Sequence, residues 1–157
     1  MSSARSNDHG AGVATVVRDA AEAEGSTSVH QVRTEEDLLT VRHAVRAATV
    51  QAGFTIVDQT RVVTAASELA RNAYIHGGGG TVTIDHLTAR GTAGLRLTIT
   101  DDGPGIADLG AALTDGFTTG AGLGHGLGGA RRLMNDFEVR SAPGQGTTVI
   151  ATRWASR

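Results

Sequence analysis

Seven of the residues from Gly116 to Gly129 are glycine: 116, 120, 122, 124, 126, 128 and 129. Glycine loses more backbone freedom on ordering than any other residue, so a regular strand or helix is disfavoured through most of this stretch. It divides the chain into the elements before it and an apolar helix expected from Gly126 to Met134. Freed backbone N–H groups beside a helix N-terminus make an anion cradle. A surface loop is the plainer reading, but glycine this dense leading into an apolar helix is unusual. Gly124-His-Gly-Leu-Gly-Gly129 also fits the dinucleotide pattern G-x-G-x-x-G. That pattern should follow an apolar strand directly, and here a polar segment precedes it, so it is discounted.

The elements around the glycine segment follow from periodicity. Thr34 is expected to cap a helix with Glu35, Glu36 and Asp37 in its first turn, where acids favour the positive end. Leu38, Val41, Val45, Ala48 and Ala52 mark its buried face, and Gly53 ends it. A second helix, with Asp58 as a candidate cap, runs to about His76 on Val62, Val63, Ala66, Leu69, Ala70 and Ala73. Gly77–Gly80 stops it. Period-two alternation predicts an edge strand at Ser28–Arg33 and a hairpin from Thr81–Leu87 and Leu95–Thr100. A last hairpin pairs Phe137–Arg140 with Thr147–Thr152. The order β-α-α-β-β-α-β-β predicts an α+β sandwich, helices on one face of a mostly antiparallel, mixed sheet. Residues 1–26 are small and polar and read as a flexible extension before a single domain at 27–157, with room for a short helix.

Composition excludes several functions. With no cysteine, disulfides, thiol catalysis and cysteine-held metals are out. Only 3% of residues are aromatic, so the core must be aliphatic. A net charge of −2 gives no reason to expect nucleic acid. No apolar run suits a membrane span and no secretory pattern opens the chain, so a cytoplasmic protein is expected. All 14 basic residues are arginine. A P-loop and a eukaryotic-type protein kinase both need a lysine at the phosphates, so neither fits. The bland explanation of the missing lysine is a GC-rich genome.

Besides the glycine segment, two short motifs carry candidate chemistry. Glu68, Asn72 and His76 stand at i, i+4 and i+8 on one helix face. Asn72 offers a neutral oxygen to Mg²⁺, which takes few ligands from protein when it also holds phosphates. Glu68 could take a proton from an incoming hydroxyl. The same three residues also read as a solvated helix face, and the helix alone favours that reading. Asp101-Asp-Gly-Pro-Gly-Ile106 ends a strand with an acid and two glycines. Gly103 and Gly105 permit positive φ or close approach of a flat ligand, and the carboxylate can accept from an adenine amino group. A backbone turn is the alternative.

Taken in order, Glu-x-x-x-Asn, Asp-x-Gly-x-Gly, Gly-x-Gly-x-Gly and a late Gly-Thr resemble the GHKL superfamily of ATP-binding domains. Within it, the chain is most similar to RsbT-type serine/threonine kinases of bacterial partner-switching systems. Gly53-Phe54, Asp58–Arg61, Thr64–Asn72, Asp101–Ile106, Asp115–Thr118, Gly122–Gly124, Arg132–Met134 and Gly144–Thr148 carry the likeness, over about Ser28 to Trp154. The resemblance implies the Bergerat ATP-binding fold, Mg²⁺ and ATP, and phosphorylation of a STAS-domain antagonist. Once released, such a kinase switches on a PPM-type serine phosphatase, upstream of sigma-factor control in stress response. No nucleic-acid or membrane partner is implied, and a homodimer is left open. Asn72 would then hold Mg²⁺ and Glu68 would be the base. Asp101 would read adenine with help from Thr148, with Gly103, Gly105 and Ile106 around it. Gly120, Gly122, Leu123, Gly124, His125 and Gly126 would wrap the phosphates. His125 stands where an apolar residue is expected and Gly128 where proline is expected, a change that should loosen the helix start. Ala107–Leu123 is expected to be a mobile lid without nucleotide. Two other functions fit the same residues: a non-enzymatic, nucleotide-gated adaptor, and an RsbW-type anti-sigma-factor kinase.

Overall fold

A computed structural model describes residues 13–15, 22–113 and 126–156. The elements are β1 (Val13–Thr15), β2 (Glu22–Val32), α1 (Glu35–Gln51), α2 (Ile56–Ile75), β3 (Gly80–Ala89) and β4 (Thr92–Asp101), then α3 (Leu109–Ala112), α4 (Gly126–Leu133), β5 (Asp136–Ser141) and β6 (Thr147–Trp154). The strands form one six-stranded sheet in the order β1-β5-β6-β4-β3-β2. Every ladder among the described residues is antiparallel, so no parallel pair makes the sheet mixed.

Alternation assigns the two faces of the sheet. Val82 and Ile84 of β3, Leu95, Leu97 and Ile99 of β4, Val139 of β5, and Val149 and Ala151 of β6 are buried. They form one cluster with Val41 and Val45 of α1, Val62, Val63, Leu69 and Ala73 of α2, and Leu127 and Ala130 of α4. The residues between them, among them Thr81, Thr83, Thr98 and Thr100, face away from the helices and are not buried. This gives a two-layer α+β sandwich with its core under the helices.

Local chemistry sets the helix ends. Thr34 Oγ1 accepts from the Asp37 amide at 3.0 Å, and Asp37 Oδ2 accepts from the Thr34 amide at 3.1 Å. That reciprocal capping box starts α1, as the acidic first turn suggests. The cap of α2 is Thr55, not Asp58: Thr55 Oγ1 accepts from the Asp58 amide at 3.1 Å. Asp58 is instead buried in the first turn, 1% exposed.

Two parts of the sheet lie within residues 1–26, the segment read from composition as an extension. Val13–Thr15 pairs with β5, and β2 begins at Glu22 against β3, with a register shift between Ala23 and Thr27. The edge strand is therefore longer than the expected Ser28–Arg33. The short helix α3 falls in the first part of the expected lid Ala107–Leu123, its start fixed by Asp108 Oδ1 accepting from the Ala111 amide at 3.0 Å. Among the described residues, no helix is long and apolar enough to cross a membrane.

Candidate nucleotide site

Register brings one end of the sheet together, where β4 and β5 finish and β3 and β6 begin. Gly80 pairs with Asp101, Asp101 with Thr147, and Thr147 with Ser141. Above this row, the last two turns of α2 and the start of α4 close a cavity of about 440 Å³. Leu69, Asn72, Ala73, His76 and Gly77 line it from α2 and its end; Ile99 and Asp101 from β4; Pro104–Asp108 from the turn that follows; Leu127, Thr147 and Val149 from the far wall. The walls are apolar, with a polar group at each end, the usual make-up of a small-molecule site.

At one end stands Asp101. Burial pushes its carboxyl above the ordinary aspartate value; amides of Gly103 and Thr147 and the nearby His76 pull the other way, and the Asp102 charge adds to the rise. The Gly103 amide donates to Asp101 Oδ1 at 2.8 Å. Glycine is needed beside this carboxylate for space. A Cβ at Gly77 would lie 2.4 Å from Asp101 Cγ, and one at Gly103 would lie 2.6 Å from Gly77 Cα. The turn is held from below by Ser141. Its hydroxyl donates to Gly146 O at 2.9 Å and accepts from the Ile106 amide at 2.8 Å. Thr147 Oγ1 lies 2.9 Å from the same oxygen. Gly105 has φ +81°, and a Cβ there would sit 2.0 Å from Ala142 O, so the turn packs backbone to backbone on the β5–β6 connection.

At the other end stands Asn72. Its Oδ1 is buried and has no hydrogen-bond partner. Leaving such an oxygen unpaired costs about 1–3 kcal/mol, a cost that a cation or donor brought by a ligand would remove. Gly126, the first residue of α4, packs on the same carboxamide, where a Cβ would fall 2.1 Å from Asn72 Nδ2. Among the described residues, no three His, Asp or Glu side chains converge as a metal cluster. An oxygen-seeking cation here would draw on Asn72 Oδ1 and on its ligand's own oxygens, which suits Mg²⁺. Gly126→Ala should leave the fold intact, because the Asn72 side chain can rotate away. It should weaken Mg-ATP binding about tenfold, a loss of ~1.4 kcal/mol. Calorimetric titration beside a melting curve checks both halves.

The structure gathers Asn72, Asp101, Gly105, Ile106 and Gly126 at one cavity or on its wall. Gly103 does not line the cavity but holds the Asp101 carboxylate. Thr148 is off by one residue: Thr147 and Val149 face the cavity, and alternation turns Thr148 to the other face of β6. Glu68 is half-buried one turn before Asn72, on the flank of the lining stripe and not in it. Gly120, Gly122, Leu123, Gly124 and His125 lie outside the described residues, as does most of the expected lid. Gly128 sits buried within the first turn of α4, and the helix forms without the expected proline. Sequence reasoning missed Gly77, read only as a helix stop, and Thr147, one position from the residue it chose.

Comparison with known proteins places the chain in a family. Residues 57–155 match the family described as histidine kinase-, DNA gyrase B-, and HSP90-like ATPase. Over 124 residues the chain is 43% identical to the serine/threonine-protein kinase RsbT of Bacillus subtilis, covering 79% of this chain and 93% of that protein. It is 35% identical over 128 residues to the anti-sigma F factor of Bacillus licheniformis, covering 74% and 83%. A Thermoanaerobacter anti-sigma F factor is 34% identical over 120 residues, covering 72% and 82%. The match spans both walls of the cavity and both of its polar ends, and the chain belongs to the histidine kinase-, DNA gyrase B-, and HSP90-like ATPase family.

Proposed function

We propose that this chain is a cytoplasmic, Mg-ATP-dependent serine/threonine kinase acting on a STAS-domain antagonist, and that its release activates a PPM-type phosphatase in a partner-switching cascade. The observation that carries the ATP reading is the pairing of two polar ends across one apolar cavity: the Asp101 carboxylate and the orphaned Asn72 Oδ1. Identity to the kinase relative exceeds identity to the anti-sigma F factors, which favours the first over the RsbW-type reading.

Helix α2 sets the roles in order along its axis. His76 is level with Asp101, Asn72 is one turn back against Gly126, and Glu68 is one turn further. From His76 to Glu68 is about 12 Å at 1.5 Å per residue. Asp101 accepts from the adenine amino group, with Leu69, Ile99 and Val149 against the ring. Asn72 Oδ1 would hold Mg²⁺, which when bound neutralises charge on the phosphate oxygens. The backbone amide of Gly126, at the N-terminus of α4, faces the phosphates. Glu68 takes the proton of the partner's hydroxyl as that oxygen bonds to the γ-phosphorus and the bond to the ADP bridging oxygen breaks. Positioning and charge neutralisation supply most of the acceleration.

Two results are expected. Glu68→Gln should lower kcat about 10²–10⁴-fold, the range of a general base, while ATP affinity stays unchanged. Equal loss of binding and turnover would remove Glu68 from the proton step. ATP binding should also weaken on acidification at a higher pH than an ordinary aspartate would give. Only ionised Asp101 is a pure acceptor, and burial raises the pH at which it protonates. Titration of ATP affinity against pH checks this, and Asp101→Asn should flatten the profile.

A further inference from the structure

Helix α4 has little reason to be a helix by itself. It has eight residues, three of them glycine at 126, 128 and 129. It is shorter than an isolated helix needs to be. Contacts at both ends hold it, and both lead to α2. At its start, Gly126 lies against Asn72. At its end, the Leu133 carbonyl accepts from Arg153 Nη1 at 3.1 Å. A cation there satisfies an orphan carbonyl and complements the helix dipole. Arg153 Nη2 also donates to Asp58 Oδ1 at 2.9 Å. Asp58 is 1% exposed in the first turn of α2, where it also binds Arg61 and the Ser156 hydroxyl. Helix α4 thus runs antiparallel to α2. The Asp58–Arg153 pair grips its far end, and Asn72 meets its near end.

We infer that Asp58 and Arg153 are a positioning pair for the phosphate end of the site: through Leu133 they fix where α4, and with it Gly126, sits along α2. The adenine end does not depend on them, since Asp101 is held by Gly103 and by the β6 ladder. This inference rests on the nucleotide reading of the cavity.

The test compares two ligands that differ only at the phosphate end. Mg-ATP and AMP are titrated into the full chain and into Arg153→Met and Arg153→Lys. The expected result for Arg153→Met is about a tenfold loss of ATP affinity, with AMP affinity within twofold of the unaltered chain. Arg153→Lys, which keeps the charge but lacks the planar fork that aims one N–H at each partner, should recover part of the loss. A general packing defect would weaken both ligands alike, and that outcome overturns the inference, as does an unchanged ATP affinity. If Arg153→Met does not fold, hydrogen exchange in Arg153→Lys decides: amides of residues 127–133 should exchange faster while those of α2 do not. Equal acceleration in both helices, or none in α4, overturns it. If the unaltered chain binds neither ATP nor AMP, the nucleotide reading fails, and the inference with it.

Discussion

Asp58→Ala is expected to lower the unfolding free energy by about 3 kcal/mol, because removing one partner of a buried pair strands the other charge. The Asp58 carboxylate is buried and ties three parts of the chain together: Arg61 in its own helix, Arg153 in β6 and Ser156 at the C-terminal end. Arg61 contributes little to this figure, since its side chain is 45% exposed and screened by water. Arg153 is the costly orphan, with a side chain only 15% exposed. Denaturant unfolding of the variant measures the loss. The pH dependence gives a second reading of the same pair. The Ser156 hydrogen bond, with Arg61 and Arg153, holds the Asp58 carboxyl below the ordinary value of 3.8 against the opposing effect of burial. A depressed carboxyl stabilises the fold above its unfolded-state value and loses that contribution as pH falls through the folded one. The unaltered chain should therefore lose stability over this acid range, and Asp58→Ala should lose less. Equal acid sensitivity in the two proteins would mean the pair contributes little.

Asp101→Asn is expected to reduce ATP affinity by about 100-fold or more, the cost of replacing a charged acceptor at a desolvated hydrogen-bonding position. The fold should not weaken with it. The Asp101 carboxyl is raised by burial, so its charged form costs stability at neutral pH, and the sign is opposite to that of Asp58. Loss of binding with an undiminished melting temperature is thus the signature of a ligand-reading group. A parallel fall in both would describe a structural one.

What the sequence made legible was mostly local. Thr34 and Asp37 cap α1 across three residues, and the alternation of β3 and β4 lies within each strand. The misreadings share a long-range cause. Asp58 looked like a cap because its determining partners, Arg153 and Ser156, are 95 and 98 residues away. Thr148 was chosen over Thr147 because the face of a strand residue is set by register with its neighbours. The first half of β2 is Glu-Ala-Glu-Gly-Ser, poor strand material of which Glu22 and Ala23 pair because β3 offers a ladder, before a register shift that ends at Thr27. Of the candidate site, Asn72, Asp101 and Gly105 were legible as motif residues. Gly77 was not, because its need for a missing side chain comes from Asp101, and nothing in a run of four glycines says which of them an acid will press against.

Phosphotransfer to a partner tests the kinase reading most directly. The chain is mixed with Mg-ATP and a STAS-domain protein from the same genome, and phosphate on the STAS protein is followed by intact mass, with Asp101→Asn alongside. One phosphate is expected on a serine or threonine of the partner, absent with Asp101→Asn. Tight ATP binding with no transfer to any STAS protein of that genome would contradict the kinase reading, and would leave the cavity as the nucleotide sensor of an adaptor.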